Sequence, residues 1–489
     1  MLSYTGHPFV DVGVATIAAF ADKRDPAALT KADLDQAADY MQRNYTVDPL
    51  KSFLTVAFPN SGFTQPAYNT QPEKRQDYAR RVLRGYGAEV PKANSTCVFT
   101  GKPAIGFSLD LKDGLEPGRT FRQHVPLLTG EAVINFHPYG DAGLPVSGEA
   151  LLAIQAMPLG CAKVAGRLLA VHADDPSVTY AYARRFLEQN RKAILAAQAA
   201  GDKKLAEYPR RASTLVVEML VDLARERAAQ AEEGNGVSCS ITAYHFTNSG
   251  QGVDLNIYHL PLEISGFVMT AMSAKYRRAW EALCHRGWEV WGGKRNEPGD
   301  FAPRYNVLYE DLFRLPLDAA LFIRRYFLRM PERTVRPGDP RAVYSVRDDV
   351  DLISWPLTEL FLRKVVNMKP DRTEAIRQLG DVLADYVVQE GDRRFFDTLL
   401  MARRYDVLRS ALIRVSVARI KRGAAPVVGF DSYMAAFEEG EDLPYSDWRL
   451  ARDLLLIRMI EQLYGKGWLQ KHADGLPLPD SGDETESAQ

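Results

Sequence analysis

The longest apolar stretch of the chain, LLAIQAMPLGCAKVAGRLLAVHA at residues 151–173, sets the first constraint on its fold. It is long enough to cross a bilayer, but it carries Lys163 and Arg167. Two central cations cost ~2.5–3.5 kcal/mol each in a membrane. Pro158 and Gly160 interrupt any single helix through it. The stretch reads as a buried helix, a Pro-Leu-Gly turn and a second buried segment, which require a globular core around them. The apolar run at 10–21 has no basic residue before it and opens on Asp11, unlike a secretory signal. Cys97, Cys161, Cys239 and Cys284 are too few for a disulfide framework in 489 residues. The expected compartment is the cytoplasm, with no membrane partner.

At ~100–200 residues per domain the chain has room for two to four domains. Its 46% hydrophobic and 25% charged residues exclude collagen, coiled-coil rods and wholesale disorder. With a formal net charge of −1, any polyanion must be met by local patches. The patterning predicts an α+β fold: a mixed α/β N-terminal region over 1–345, an all-α bundle over 346–470 and a disordered acidic tail over 471–489. Helices are predicted at 10–21, from Thr30 to about Arg43, and at 72–85, 178–233 and 265–290. Thr30 and Asp33 have the spacing of a capping box. KSFLTVAF at 51–58, rich in β-branched and aromatic residues, predicts a strand. So do residues 104–111 and 132–136, and residues 237–246 with 253–260 predict a β-hairpin. In the C-terminal region Ile376, Leu379, Leu383 and Tyr386 repeat near a 3.6-residue period. Bundle helices are predicted at 352–368, 371–390, 393–422 and 446–464, with Asp371 and Glu374 as a second capping box.

Candidate chemistry is sparse. The sequence contains no phosphate-binding loop, dinucleotide fingerprint, zincin or nucleophile-elbow motif. His137 and Asp141, with His124 nearby, are the most tempting acid/base cluster, and Pro138 and Gly140 exclude regular helical spacing between them. A turn after a strand accounts for the same residues. Cys97-Val98-Phe99-Thr100-Gly101 looks like half of a zinc knuckle without its second cysteine, and Ser147-Gly148-Glu149-Ala150 suits the other half. Zinc needs four soft or borderline ligands, which one thiolate with Thr100, Ser147 and Ala150 does not supply. No zinc and no other cofactor is expected, in a degenerate zinc subdomain at about 95–160.

These residues, with SYTGHPFVDVGVATIAAF (3–20), LTVAFPNSGF (54–63), SGEALLAIQAMPLGCAKVAGRLLAVHAD (147–174) and TNSGQGVDLNIYHLP (247–261), carry a resemblance. Together they resemble the large subunit of type I CRISPR Cascade effector complexes, in the branch named for two CXXC pairs and associated with type I-B systems. Three of that family's four cysteines are replaced here, by Thr100, Ser147 and Ala150.

The resemblance implies a non-enzymatic subunit of a crRNA-guided complex. Such a subunit recognises the protospacer-adjacent motif on double-stranded DNA, promotes unwinding and R-loop formation, and helps recruit a separate helicase-nuclease. Its expected partners are crRNA, target duplex, the 5′-handle-capping, backbone and small subunits, and that nuclease. Guide pairing reads the target while protein reads the short flanking motif. Base-edge readout calls for amides and hydroxyls on thin loops. Two loops qualify: Asn60, Ser61, Gly62, Phe63, Gln65 and Asn69, and Asn248, Ser249 and Gln251. Phe63 would wedge into a base step, and Lys102 would meet a phosphate. Asn, Ser and Gly are also ordinary turn residues, so both loops have a purely structural alternative.

In the bundle Arg403, Arg414 and Lys421 fall within about 20° on an ideal helix, where they would track the displaced strand. A solvated face pairing with the acidic run at 431–447 explains them equally well. Arg324, Arg325, Arg329, Arg333 and Arg336 form a second basic cluster suited to crRNA or a neighbouring subunit. Met330 and Met368 are candidate internal starts for a separate small subunit. The alternatives to DNA recognition are a nucleic-acid enzyme using His124, His137 and Asp141, and a purely scaffolding subunit.

Overall fold

Helix α1 (Pro8–Phe20) is the apolar run near the N-terminus, and every residue from Phe9 to Ala18 is buried. A computed structural model supplies the structure and describes residues 2–111, 114–130, 140–230, 238–248, 252–292, 298–439, 443–444 and 448–472. The fold is α+β and 56% helical, with small sheets and a helical C-terminal region. Asp11 is tolerated inside α1 because its carboxylate accepts from Thr5 N and Oγ1, Gly6 N and His172 Nε2. The chain divides into two compact units, residues 1–219 with 239–261 and residues 220–238 with 262–489.

In the first unit α1 is followed by α2 (Lys31–Asn44), α3 (Leu50–Leu54) and α4 (Pro72–Leu83). Thr30 and Asp33 close the predicted capping box at the start of α2. The predicted strand at 51–58 is instead α3 and the turns after it. Phe53, Leu54, Ala57 and Phe58 are all buried there, so core burial has overridden a β-leaning composition. Strands β1 (Lys92–Thr96) and β2 (Pro103–Ile105) form a short hairpin, and β3 (Arg119–Thr120) pairs with β4 (Leu144–Pro145). Only Ala104 and Ile105 of the strand expected at 104–111 lie in a strand, and the one expected at 132–136 lies outside the described residues.

The long apolar stretch folds as its interruptions demand. It gives helix α5 (Gly148–Ala156), a tight turn at Met157–Gly160, and strands β5 (Ala162–Val164) and β6 (Arg167–Ala173). Gly13 and Ala153 bring α1 and α5 together; a Cβ on Gly13 would lie 1.9 Å from the Ala153 carbonyl oxygen. Helices α6 (Pro176–Ala200) and α7 (Ala212–Gln230) follow, separated at Gly201 and Pro209. The hairpin β7 (Ile241–Thr247) and β8 (Asp254–Leu260) then completes an antiparallel sheet in the order β5-β6-β7-β8. Phe9 of α1 covers one face of it, 4.9 Å from Phe246 and 6.1 Å from Tyr244, centroid to centroid.

The second unit begins well before residue 345. Helices α8 (Leu262–Ala271), α9 (Arg277–Arg286), α10 (Val307–Asp311) and α11 (Ala319–Phe322) lead to α12 (Trp355–Phe361). Phe361 is packed by Phe267, Phe322 and Phe327, with centroids 5.1–5.3 Å apart, and Phe267 also meets Trp280 at 5.2 Å. Residues 262–345 therefore share the core of this unit, because its largest apolar side chains come from both sides of residue 345. The bundle continues with α13 (Pro370–Glu390), α14 (Arg393–Met401), α15 (Tyr405–Lys421), α16 (Phe430–Phe437), α17 (Trp448–Gly465) and α18 (Trp468–His472). Two helices replace the single one expected at 393–422, and α18 carries helical structure to His472. The second capping box is not formed. Pro370 opens α13 with Lys369 at the cap, and Glu374 instead binds Arg377 and Gln378.

Candidate nucleic-acid interface

The first loop folds back on itself, which divides its residues sharply. Asn60 stands exposed at its tip with φ +61°, a left-handed conformation that asparagine tolerates better than most residues. Ser61 is fully buried, with its hydroxyl 3.3 Å from that of Thr64. Gly62 is pressed against Tyr78; a Cβ there would come 2.2 Å from the ring. Phe63 is 0% exposed, edge-on between Tyr45 (5.5 Å) and Tyr78 (5.2 Å). Phe63 is thus a core residue and not a wedge, and Ser61 and Gly62 are out of reach of DNA. Packing against Tyr78 explains the glycine.

Gln65 is half-buried and precedes the turn Pro66–Thr70. Asn69 is exposed, and its Oδ1 accepts from Lys51 Nζ at 2.9 Å and Arg75 Nη2 at 2.7 Å. The two cations orient the amide, leaving its N–H group as a donor beside positive charge. Lys74, Lys203 and Lys204 are exposed, as are Asp48, Glu73 and Asp202. Ser52, next to Lys51, donates to the Lys203 carbonyl at 2.8 Å, which joins the two segments. Lys51 and Arg75 were not among the expected site residues. Lys51 lies 18 positions from Asn69, and no local spacing announces that meeting.

Asn248 in the second loop is a structural clamp. It is 0% exposed, and its Nδ2 donates to the carbonyls of Ala57 and Arg122, each at 3.3 Å. Its backbone N–H donates to Val56 O at 2.8 Å. The amide nitrogen is engaged inside the unit, and the side chain is buried away from any base edge. Ser249 and Gln251 lie outside the described residues.

The knuckle-like turn forms as a turn. Cys97 N donates to Lys102 O at 2.7 Å, and Gly101 N to Cys97 O at 3.0 Å. Thr100 Oγ1 and Ser147 Oγ are 3.2 Å apart, and Ser147 also caps α5 by accepting from Ala150 N. Three of the four positions at which the resemblance places cysteines thus join in one hydrogen-bonded cluster, and Cys97 is buried at the base of the turn. Two mutually satisfied hydroxyls, one thiol and a methyl group do not fit a tetrahedral zinc. Lys102 Nζ lies 3.0 Å from Glu149 Oε1. Burial pushes the Glu149 carboxyl upward, but its own backbone N–H and Lys102 outweigh this and hold it below its ordinary range.

Two members of the acid/base cluster lie among the described residues. His124 is sealed in the core, where its Nδ1 accepts from Phe121 N at 3.3 Å and its ring stacks on Tyr78. Burial lowers its pKa to about 3. Asp141 instead binds Arg119 at 2.8 Å, and His137 lies outside the described residues.

In the second unit Arg403 precedes α15, so it does not share a helical face with Arg414 and Lys421. Arg409, Arg414 and Lys421 are exposed and have no ion pair among the described residues. Glu441, Asp442 and Asp447 of the acidic run lie outside the described residues. Three arginines of the other basic cluster turn inward, whereas Arg333 and Arg336 are exposed. Arg329 is 0% exposed, lies 3.5 Å over the Tyr344 ring and binds Asp349 at 2.8 Å. Arg325 binds Asp311 and Glu332, and Arg324 faces Asp453. These arginines hold the unit together and present no surface to RNA.

No helix among the described residues is long and apolar enough to cross a membrane. Scans against protein-family models, curated proteins and solved structures found no match.

Proposed function

We propose that the chain is the large subunit of a crRNA-guided type I Cascade complex that reads a protospacer-adjacent motif on duplex DNA. The observation that carries this reading is the way the resembling segments close on one another. Segment 3–20 meets 147–174 through Asp11 and His172 (3.1 Å), and meets the 97–101 turn through His7 and Phe99 (4.7 Å). The turn meets 147–174 through Thr100 and Ser147, and 54–63 meets 247–261 through Asn248. Arg167 pairs with Asp254 and joins 147–174 to 247–261, so five stretches far apart in sequence make one body, as a shared recognition module requires.

Within that module the DNA-contacting residues are Asn60, Gln65 and Asn69. Lys51 and Arg75 orient Asn69 and supply phosphate contacts, and Lys102 stands by in its pair with Glu149. Asparagine amides suit adenine edges, and flanking cations supply the salt-sensitive term. Bond breaking belongs to a recruited helicase-nuclease, and the partners are crRNA, the target duplex and the other Cascade subunits.

The testing variant is Asn60→Gly, which keeps the left-handed backbone and removes only the amide. In a gel shift of the assembled complex on a motif-bearing duplex, affinity falls about 5- to 100-fold with assembly intact, the worth of one good base contact. Unchanged binding would remove this loop from the interface.

A further inference from the structure

A cleft of about 610 Å³ in the first unit is lined by residues of α2, α4 and the turns beyond α4. Small-molecule sites run ~300–1,000 Å³. Asp77, Arg80 and Arg81 fall within about 100° of one another on α4, and Arg84 at its C-cap continues the row. Arg75, which orients Asn69, lies on the opposite side of that helix, so the cleft is separate from the candidate DNA surface. Among the described residues four cations and three carboxylates line it, Glu89 being the third carboxylate. Asp35 and Asp77 each serve two cations. Asp35 meets Lys31 at 2.8 Å and Arg84 at 3.2 Å, and Asp77 meets Arg80 at 3.0 Å and Arg81 at 3.3 Å. Arg81 is fixed further by the carbonyls of Ser108 and Asp110, each at 3.0 Å, and Arg84 by Asp39 and the Tyr86 hydroxyl. The side chains of Lys31 and Arg80 are 66% and 69% exposed, and ion pairs that exposed hold their partners weakly. Tyr86, Val90 and Phe107 add apolar surface to the same cleft, half-buried against the core. The rings of Tyr86 and Phe107 meet no other ring among the described residues.

We propose that this cleft binds a nucleoside 5′-phosphate. A bare anion would leave the two rings uncovered, and an apolar ligand would leave the guanidinium row without a counterpart. A nucleoside phosphate answers both: its planar base covers the rings of Tyr86 and Phe107, and its phosphate meets the cations. Lys31 and Arg80 move from their aspartates onto the phosphate, while Arg81 and Arg84 stay in place and supply a fixed positive field. The aspartates hold the row in position when the cleft is empty, because each already bridges two of its cations. The same chemistry is carried by a free nucleotide and by the 5′ end of an RNA strand. The proposal does not rest on the reading of this chain as a DNA-recognition subunit.

Calorimetric titration of the full chain with adenosine 5′-monophosphate tests it. Binding is saturable at one site per chain, and adenosine and inorganic phosphate each bind at least about tenfold more weakly, since each offers half of the contacts. Arg80→Gln with Lys31→Gln, both on the surface, weakens the nucleotide about tenfold or more and removes most of its salt dependence. Phe107→Leu keeps the apolar volume and removes the ring, and it weakens the nucleotide several-fold while phosphate binding is unchanged. A 5′-phosphorylated RNA trinucleotide separates the two sources: binding at least as tight as the mononucleotide's assigns the site to a strand end, and exclusion assigns it to a free nucleotide. No saturable binding below about 1 mM, phosphate binding as tightly as the nucleotide, or an affinity untouched by both sets of variants with the melting temperature preserved would overturn the proposal.

Discussion

Replacing Asn248 with alanine separates a clamp from a reader. The side chain donates to two buried carbonyls, those of Ala57 and Arg122. Removing it deletes two hydrogen bonds and leaves both acceptors without that partner, at about 1 kcal/mol or somewhat more for each. The expected loss is therefore about 2–3 kcal/mol. For a unit of this size that lowers its melting temperature by about 4–12 °C. Calorimetry of the full chain reads the shift as an earlier transition of the first unit. Below that transition, Asn248→Ala should bind motif-bearing duplex as the unaltered chain does, because the amide never faces solvent. If the variant melted normally and yet lost motif-dependent binding, the clamp would be wrong and Asn248 would be a contact residue.

Three further outcomes follow from buried chemistry. His124, lowered to about 3 by burial, is neutral when folded, so between pH 6.5 and 3 the unfolded chain binds more protons and stability falls with pH. Urea titrations should show a loss of the order of 5 kcal/mol across that window, and His124→Leu should flatten the dependence; an unchanged slope contradicts the assignment. Thr100→Cys, Ser147→Cys and Ala150→Cys together complete four thiols around the turn of Cys97, and the triple variant should take up zinc stoichiometrically by metal analysis, whereas no uptake would mean the turns are misaligned for a knuckle. A fragment starting at Met330 lacks Phe267, Trp280, Phe322, Phe327 and Arg329, so it should show no cooperative melting; a sharp transition would refute the shared core and restore Met330 as an internal start. Met368 removes still more, including Phe361.

How far the sequence leads depends on whether an interaction is local. Thr30 with Asp33, the helix α1, and the break at Pro158 and Gly160 are set by residues within a few positions of each other, and each folds as its spacing predicts. The candidate DNA-contacting residues are not set locally. Asn60, Ser61, Gly62 and Phe63 are neighbours in sequence, yet only Asn60 faces water, because Tyr45 and Tyr78 close over the ring of Phe63 from elsewhere in the chain. The arginines at 324–329 look like a surface patch until Asp311, Asp349 and Asp453 arrive from 14 or more positions away. Likewise the aromatic residues of KSFLTVAF favour a strand in isolation, and the core into which Phe53 and Phe58 point decides otherwise.

The most direct measurement is the binding of the assembled, crRNA-loaded complex to a library of duplexes identical in the guide-matched stretch and randomised in the bases beside it. Affinities should spread by tenfold or more according to the flanking bases, at ~1–3 kcal/mol per contacted base, and Asn60→Gly should narrow the spread. A flat distribution, with every flank bound equally, would contradict the account.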